Sequence, residues 1–152
     1  KFYQFALMAI LTGGGLTLFL VTQFVLKLNP WFMPRYMIPL AGMIFASSMN
    51  GVSLAAERLQ AEMDRNVEYI QARSIALRAA LIPITNSLFA VGLVSLPGMM
   101  TGQILSGVSP LIAVRYQIMV MCMIFSAVGL SSALFLIMIK SQLSELTGKT
   151  LK

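Results

Sequence analysis

Charge is gathered in one part of this chain. Between residues 57 and 78 lie four of its five acids and four of its arginines. On a helix, Arg58 and Glu62 stand four residues apart and Glu62 and Arg65 three apart, within pairing reach on a solvated face. With Glu57, Glu68, Arg73 and Arg78 they form either a solvated connection anchored at an interface or a segment that docks a partner. Guanidinium groups form paired hydrogen bonds with the carboxylates of another protein. Catalysis has little to work with. The chain has no histidine, which excludes His-based zinc sites, Ser–His triads and Cys–His pairs within it. Its one cysteine, Cys122, cannot form an intramolecular disulfide. No nucleophile–base pair stands out. Gly148-Lys149-Thr150 resembles the end of a phosphate-binding loop, but that loop needs a glycine at position 143, which is leucine. No ATP site and no other cofactor site is expected here.

The polar residues inside apolar stretches are the next candidates. Asn50, Thr85 and Asn86 could line a substrate pathway, since polar side chains at membrane depth face a cavity or a partner helix. Each has a plainer alternative. Asn50 falls near the end of its stretch, where water can reach it. Thr85 and Asn86 follow Pro83, where side chains can repair a kinked backbone. Met99 and Met100 adjoin Pro97-Gly98 and are noted as pathway candidates; thioethers suit soft metals such as copper(I) and bind iron poorly. Met119, Met121 and Met123 alternate along the chain, and alternate positions on a helix do not share a face. No carboxylate falls within any span, so no hard-metal site is assigned.

The elements that must hold these residues are membrane helices. Stretches 2–26, 36–56, 79–114 and 116–139 carry no charge. A spanning helix needs about 20 apolar residues. The chain is 58% hydrophobic and 11% charged, with mean hydropathy +0.84. The apolar runs are continuous rather than alternating, which points to helices and not a barrel. The stretch 79–114 would extend about 54 Å as one helix, against about 30 Å of hydrocarbon. It must break, and Pro97-Gly98 is the strongest breaker. The expectation is an all-α, polytopic bundle of about four spans, the third near 79–96, followed by a broken or re-entrant segment over 99–114. Residues 1–152 form one membrane domain. Lys1 in place of Met, directly against a span, suggests that an amino-terminal piece is missing.

Orientation follows from Lys and Arg. With 57–78 and the 140–152 tail in the cytoplasm, Lys1, Arg58, Arg65, Arg73, Arg78, Lys140, Lys149 and Lys152 are inside, and Lys27, Arg35 and Arg115 outside, eight against three. The net charge of +6 is accounted for in this way. No basic run with interleaved aromatics exists, so nucleic acid is not an expected partner. Gly42 and Ala46, and Gly129 and Ala133, have the spacing of close helix contacts, within the chain or in an assembly. Residues 53–63 continue the second span as a helix. After Asn66 a short amphipathic helix is expected, with Val67, Ile70, Ser74, Leu77 and Leu81 on its apolar side.

Several runs carry a family resemblance. They are residues 78–83 (Arg-Ala-Ala-Leu-Ile-Pro), 91–100 (Val-Gly-Leu-Val-Ser-Leu-Pro-Gly-Met-Met), Gly102, 116–120 (Tyr-Gln-Ile-Met-Val) and 38–44 (Ile-Pro-Leu-Ala-Gly-Met-Ile). In these the chain resembles the FetB-type permeases, which include a bacterial iron-export subunit and plant aluminium-tolerance permeases. The resemblance implies a multi-pass permease of an ABC transporter in the inner (plasma) membrane. It implies a homodimer, a separate cytoplasmic ATPase that binds ATP, and export of iron or another metal. Residues 57–78 then look like the coupling segment, with Glu57, Arg58, Glu62, Arg65, Glu68, Arg73 and Arg78 as its contacts. The competing class is a membrane scaffold that does not transport and assembles through small-residue faces.

Overall fold

The computed structural model describes residues 2–30, 32–91 and 97–147. Helix α1 spans Phe2–Leu20 and runs on through a π-helical turn, Val21–Val25. Helix α2 spans Pro34–Asp64, α3 Tyr69–Ala90, α4 Gly98–Leu105 and α5 Pro110–Thr147. There is no β-strand among the described residues. Among the described residues three helices are long and apolar enough to cross a membrane: Tyr3–Val25, Pro34–Asp64 and Pro110–Lys140. At 1.5 Å per residue α2 is about 46 Å long and α5 about 57 Å. Both exceed the hydrocarbon thickness, so their ends must project from it.

The boundaries depart from the sequence reading in three places. Pro110 opens α5, because a proline at the first helical position loses no hydrogen bond. Arg115 therefore lies inside α5 and does not bound it. The break within residues 79–114 is present, but α3 ends at Ala90, and Val91 is extended (φ −66°, ψ 121°). Gly92–Leu96, expected to finish that span, lie outside the described residues, as do Lys1, Lys149 and Lys152. The uncharged part of α3, residues 79–90, rises only about 18 Å. Finally, the helix after Asn66 is not a separate short piece. It is the first half of α3, which continues through Pro83.

Small residues bring the helices together. Helices α1, α2 and α3 all pack on α5, α2 packs on both α1 and α3, and α4 lies against α5. A Cβ on Gly13 of α1 would stand 2.8 Å from the Ser131 nitrogen and 2.9 Å from its Cα. One on Gly51 of α2 would meet Val128 Cγ1 at 2.6 Å. Ser48, Ser131 and Ser132 are fully buried in the same seam. The pairs singled out by spacing behave differently. Gly42 has nothing within 4 Å of where a Cβ would be, and Gly129 has only Leu81 Cδ2, at 3.8 Å. A small-residue pair permits close approach, but only its position around the helix decides whether a neighbour is there.

Two apolar clusters lie toward opposite ends of the bundle. One joins Leu59, Tyr69, Ala72, Ala76, Phe135, Leu136 and Ile139. The other joins Val21, Leu40, Ile44, Val120 and Met123, with Met99 packed against it. The buried face of α3 is Tyr69, Ala72, Ala76 and Ala80. The expected face is right only in part: Val67 and Leu77 pack against the first cluster and Leu81 is partly buried, but Ile70 is half-exposed and Ser74 is exposed. In a bundle driven by packing, alanines take the interface and large aliphatic residues can point outward.

The corner between α2 and α3 is fixed by its backbone. The Asn66 N–H donates to the Met63 carbonyl (2.9 Å), and the Val67 N–H to the Glu62 carbonyl (3.1 Å). This is a Schellman stop, and it needs a left-handed residue, which Asn66 supplies at φ 59°. Asparagine tolerates that region better than other non-glycine residues. Asn66→Val should therefore lower stability by about 1 to 2 kcal/mol, while Asn66→Gly stays near the parent. Thermal unfolding in detergent measures this. Equal stability of Asn66→Val would contradict the assignment.

Candidate functional site

The helical segment that ends α2 places Glu62 on its inner side, with the carboxylate side chain only 6% exposed. A carboxylate so removed from water needs a compensating cation. Arg58 Nη2 stands 2.7 Å from Glu62 Oε1, and Arg65 Nη1 stands 3.7 Å from the same oxygen. Both pairings anticipated from the spacing are present. Their effect is to hold two guanidinium groups on the outer surface of the corner, since Arg58 and Arg65 remain largely exposed.

Tyr69, at the start of α3, locks the corner to α5. It is buried, and its hydroxyl donates to the Leu136 carbonyl. Burial raises the Tyr69 phenol above its usual range, with the Arg73 guanidinium acting in the opposite direction. Sequence reading missed this residue. Its signal was an aromatic with a polar tip immediately after the α2 stop.

Across the corner, Arg58 of α2 and Arg78 of α3 line one shallow groove of about 390 Å³, floored by Ile75, Ala79 and Ile82. The structure thus brings Arg58, Glu62 and Arg65 together as one cluster, and Arg58 with Arg78 as another. Glu57, Glu68 and Arg73 are exposed around the same corner. The α2–α3 corner and the second half of α5 lie at one end of the bundle. Lys27, Arg35 and Arg115 belong to segments at the other. This matches the two-sided charge distribution of the sequence.

The pathway candidates separate. Asn50 opens into a cleft of about 190 Å³ between α2, α3 and α5, with Ser47, Pro83 and Ser87 also on its walls. It is level with Gly51, which packs on Val128 of α5. Thr85 is not part of the cleft; its hydroxyl donates to the Leu81 carbonyl (2.8 Å). Ser87 donates to the Pro83 carbonyl (2.9 Å). Both are ordinary bonds from a side chain to the carbonyl four residues back, and neither reaches the Ala79 carbonyl, which Pro83 leaves without its helical donor. Asn86 is exposed and does not line the cleft. Met99 packs against the second apolar cluster, and Met100 is buried beside α5. Neither faces the Asn50 cleft. Ser47 and Ser87 join the candidate set through geometry alone. No group of three His, Cys, Asp or Glu side chains able to hold a metal exists among the described residues.

Outside the bundle, large apolar side chains such as Leu7, Phe19, Ile38, Phe89, Leu111 and Ile137 are exposed, while glycine, alanine and serine fill the seams. That inversion, on helices long enough to cross a bilayer, defines a multi-pass helical membrane protein. The chain belongs to the Uncharacterised protein family UPF0014, whose model matches residues 1–75 and 68–143. It is 37% identical over 147 residues to the Probable iron export permease protein FetB of Escherichia coli, covering 87% of this chain and 56% of that protein. It is 39% identical over 140 residues to Protein ALUMINUM SENSITIVE 3 of Arabidopsis thaliana, covering 82% of this chain and 50% of that protein. A UPF0014 membrane protein of Synechocystis is 44% identical over 117 residues, covering 67% and 45%. The chain spans about half the length of the curated relatives it matches. No solved structure matches it.

Proposed function

We propose that this chain is the membrane-embedded part of an ABC transporter permease that moves iron or another metal ion, itself non-catalytic and driven by ATP hydrolysis in a separate cytoplasmic subunit. The carrying observation is the α2–α3 corner. It is a fixed, arginine-bearing hairpin, held by a Schellman stop, the Glu62 ion pairs and the Tyr69 contact, and it projects from a bundle whose relative is named a probable iron export permease. A corner of this kind can receive force. When the ATPase dimer closes, a push on the first half of α3 tilts that helix against α5, and the cleft beside Asn50 and Pro83 changes shape. Alternating access by rocking of one helix group against another uses the same principle. The permease works as a homodimer in the inner (plasma) membrane on this reading.

The test is ATP hydrolysis by the partner ATPase, measured with the full-length permease across a panel of metals. Stimulation by iron or another single metal, absent without the permease, is the expected result. Hydrolysis indifferent to the permease and to every metal would favour the scaffold.

A further inference from the structure

The groove between Arg58 and Arg78 is built for more than contact with a soluble subunit. Ile75, Arg78, Ala79 and Ile82 stand at i, i+3, i+4 and i+7 of α3, so they share one face, and Arg58 of α2 closes the groove on its other side. Charge and apolar surface are separated along it. Arg78 directly precedes the uncharged residues 79–90, and Arg58 lies just beyond the uncharged stretch 36–56. Both arginines thus stand where the bundle leaves the hydrocarbon. On a helix the Cβ tilts toward the N-terminus. For α3 that is the corner, so Arg78 leans to the water side. Arg58 turns the same way, toward Glu62 one turn nearer the corner. Ile82 lies one turn deeper than Arg78 and is 56% exposed. No carboxylate lines the groove among the described residues.

We infer that this groove binds an anionic phospholipid, with its phosphate between the Arg58 and Arg78 guanidinium groups and an acyl chain along Ile75, Ala79 and Ile82. Guanidinium groups take phosphate through paired, charge-assisted hydrogen bonds. Basic pockets between membrane helices on the cytoplasmic side hold lipid head groups in this way. The apolar floor decides the occupant. An acidic segment of a soluble protein would satisfy the arginines but not cover Ile82 at bilayer depth, whereas a phospholipid matches the groove at both ends. Glu62 fixes Arg58 without consuming it, because a guanidinium has five N–H donors. For the same reason a phosphate on one edge of Arg78 leaves donors for a carboxylate of the ATPase. The lipid site does not rest on the permease reading.

The experiment is native mass spectrometry of the delipidated full-length protein in neutral detergent, titrated with phosphatidylglycerol or with phosphatidylcholine. The parent should bind one phosphatidylglycerol per chain at least about tenfold more tightly than phosphatidylcholine, the scale set by two interfacial arginines. Arg78→Gln should lose that preference. Arg78 is the residue to change, because removing Arg58 also strips Glu62 of its nearest cation. Arg73→Gln, on the same corner but outside the groove, and Arg115→Gln, at the other end, should keep it. Unfolding temperatures close to the parent's verify that each variant is folded. Parent-like preference in Arg78→Gln, or an equal loss in Arg73→Gln, would show only the general positive field of this end and overturn the site. Excess inorganic phosphate at matched ionic strength should leave the lipid bound; displacement would reveal a free-anion site and overturn the lipid assignment.

Discussion

Gly13→Ala is expected to destabilise the bundle by about 1 to 3 kcal/mol, the usual range for overpacking. Two terms oppose each other. Alanine in place of a helical glycine gains about 0.5 to 1 kcal/mol from backbone entropy. Against that, the new methyl would lie 2.8 Å from the Ser131 nitrogen and 2.9 Å from Ser131 Cα. These are backbone atoms, so no rotamer change relieves the contact, and α1 must move away from α5. The clash wins. Gly13→Leu should prevent assembly altogether. Gly42→Ala is the matched control, because nothing lies within 4 Å of its Cβ position. It should equal or exceed the parent in stability. Thermal unfolding in detergent reads all three. A Gly13→Ala variant as stable as Gly42→Ala would refute the close α1–α5 seam.

The second large effect is expected at Arg78. It is exposed, it belongs to no ion pair among the described residues, and it shares a groove with Arg58. A planar guanidinium can bind a carboxylate of the ATPase through two parallel hydrogen bonds, which an ammonium cannot reproduce. On the coupling reading, Arg78→Ala loses partner binding or transport-stimulated ATPase activity while still inserting correctly, and Arg78→Lys restores little. A positive-inside anchor needs only a charge. Full activity in Arg78→Lys would therefore reject the coupling role for this residue and leave the permease reading standing. Arg58→Ala should show a mixed phenotype, because its loss also strips the buried Glu62 carboxylate of its nearest cation.

How far the sequence carried the account differs from residue to residue. Helix α2 running past the apolar stretch to Asp64 was legible, because Arg58, Glu62 and Arg65 have helical spacing. The break near Pro97-Gly98 was legible from length alone. The end of α3 at Ala90 was not, although Gly92, a poor helix former, follows closely. The buried face of α3 was read only in part, with Val67 and Leu77 right and Ile70 wrong, because hydropathy favours Ile70 over Ala72, whereas close packing favours alanine. For the same reason Gly13 and Gly51 went unremarked as contacts while Gly42 was singled out. Spacing cannot tell which side of a helix has a neighbour. The Asn50 cleft needed the fold, since Ser47 and Ser87 meet only when α2 and α3 are antiparallel. Tyr69 was hidden for a similar reason: its partner, the Leu136 carbonyl, is a backbone atom on a distant helix.

Everything about coupling depends on the α2–α3 corner facing the cytoplasm. Single cysteines at Gln60 and Gln71, both exposed on that corner, in a Cys122→Ser background of the full-length protein, test this directly. A membrane-impermeant thiol reagent should label both positions in inside-out vesicles and neither in intact cells. Labelling of either position in intact cells would place the corner on the outer side and contradict the account.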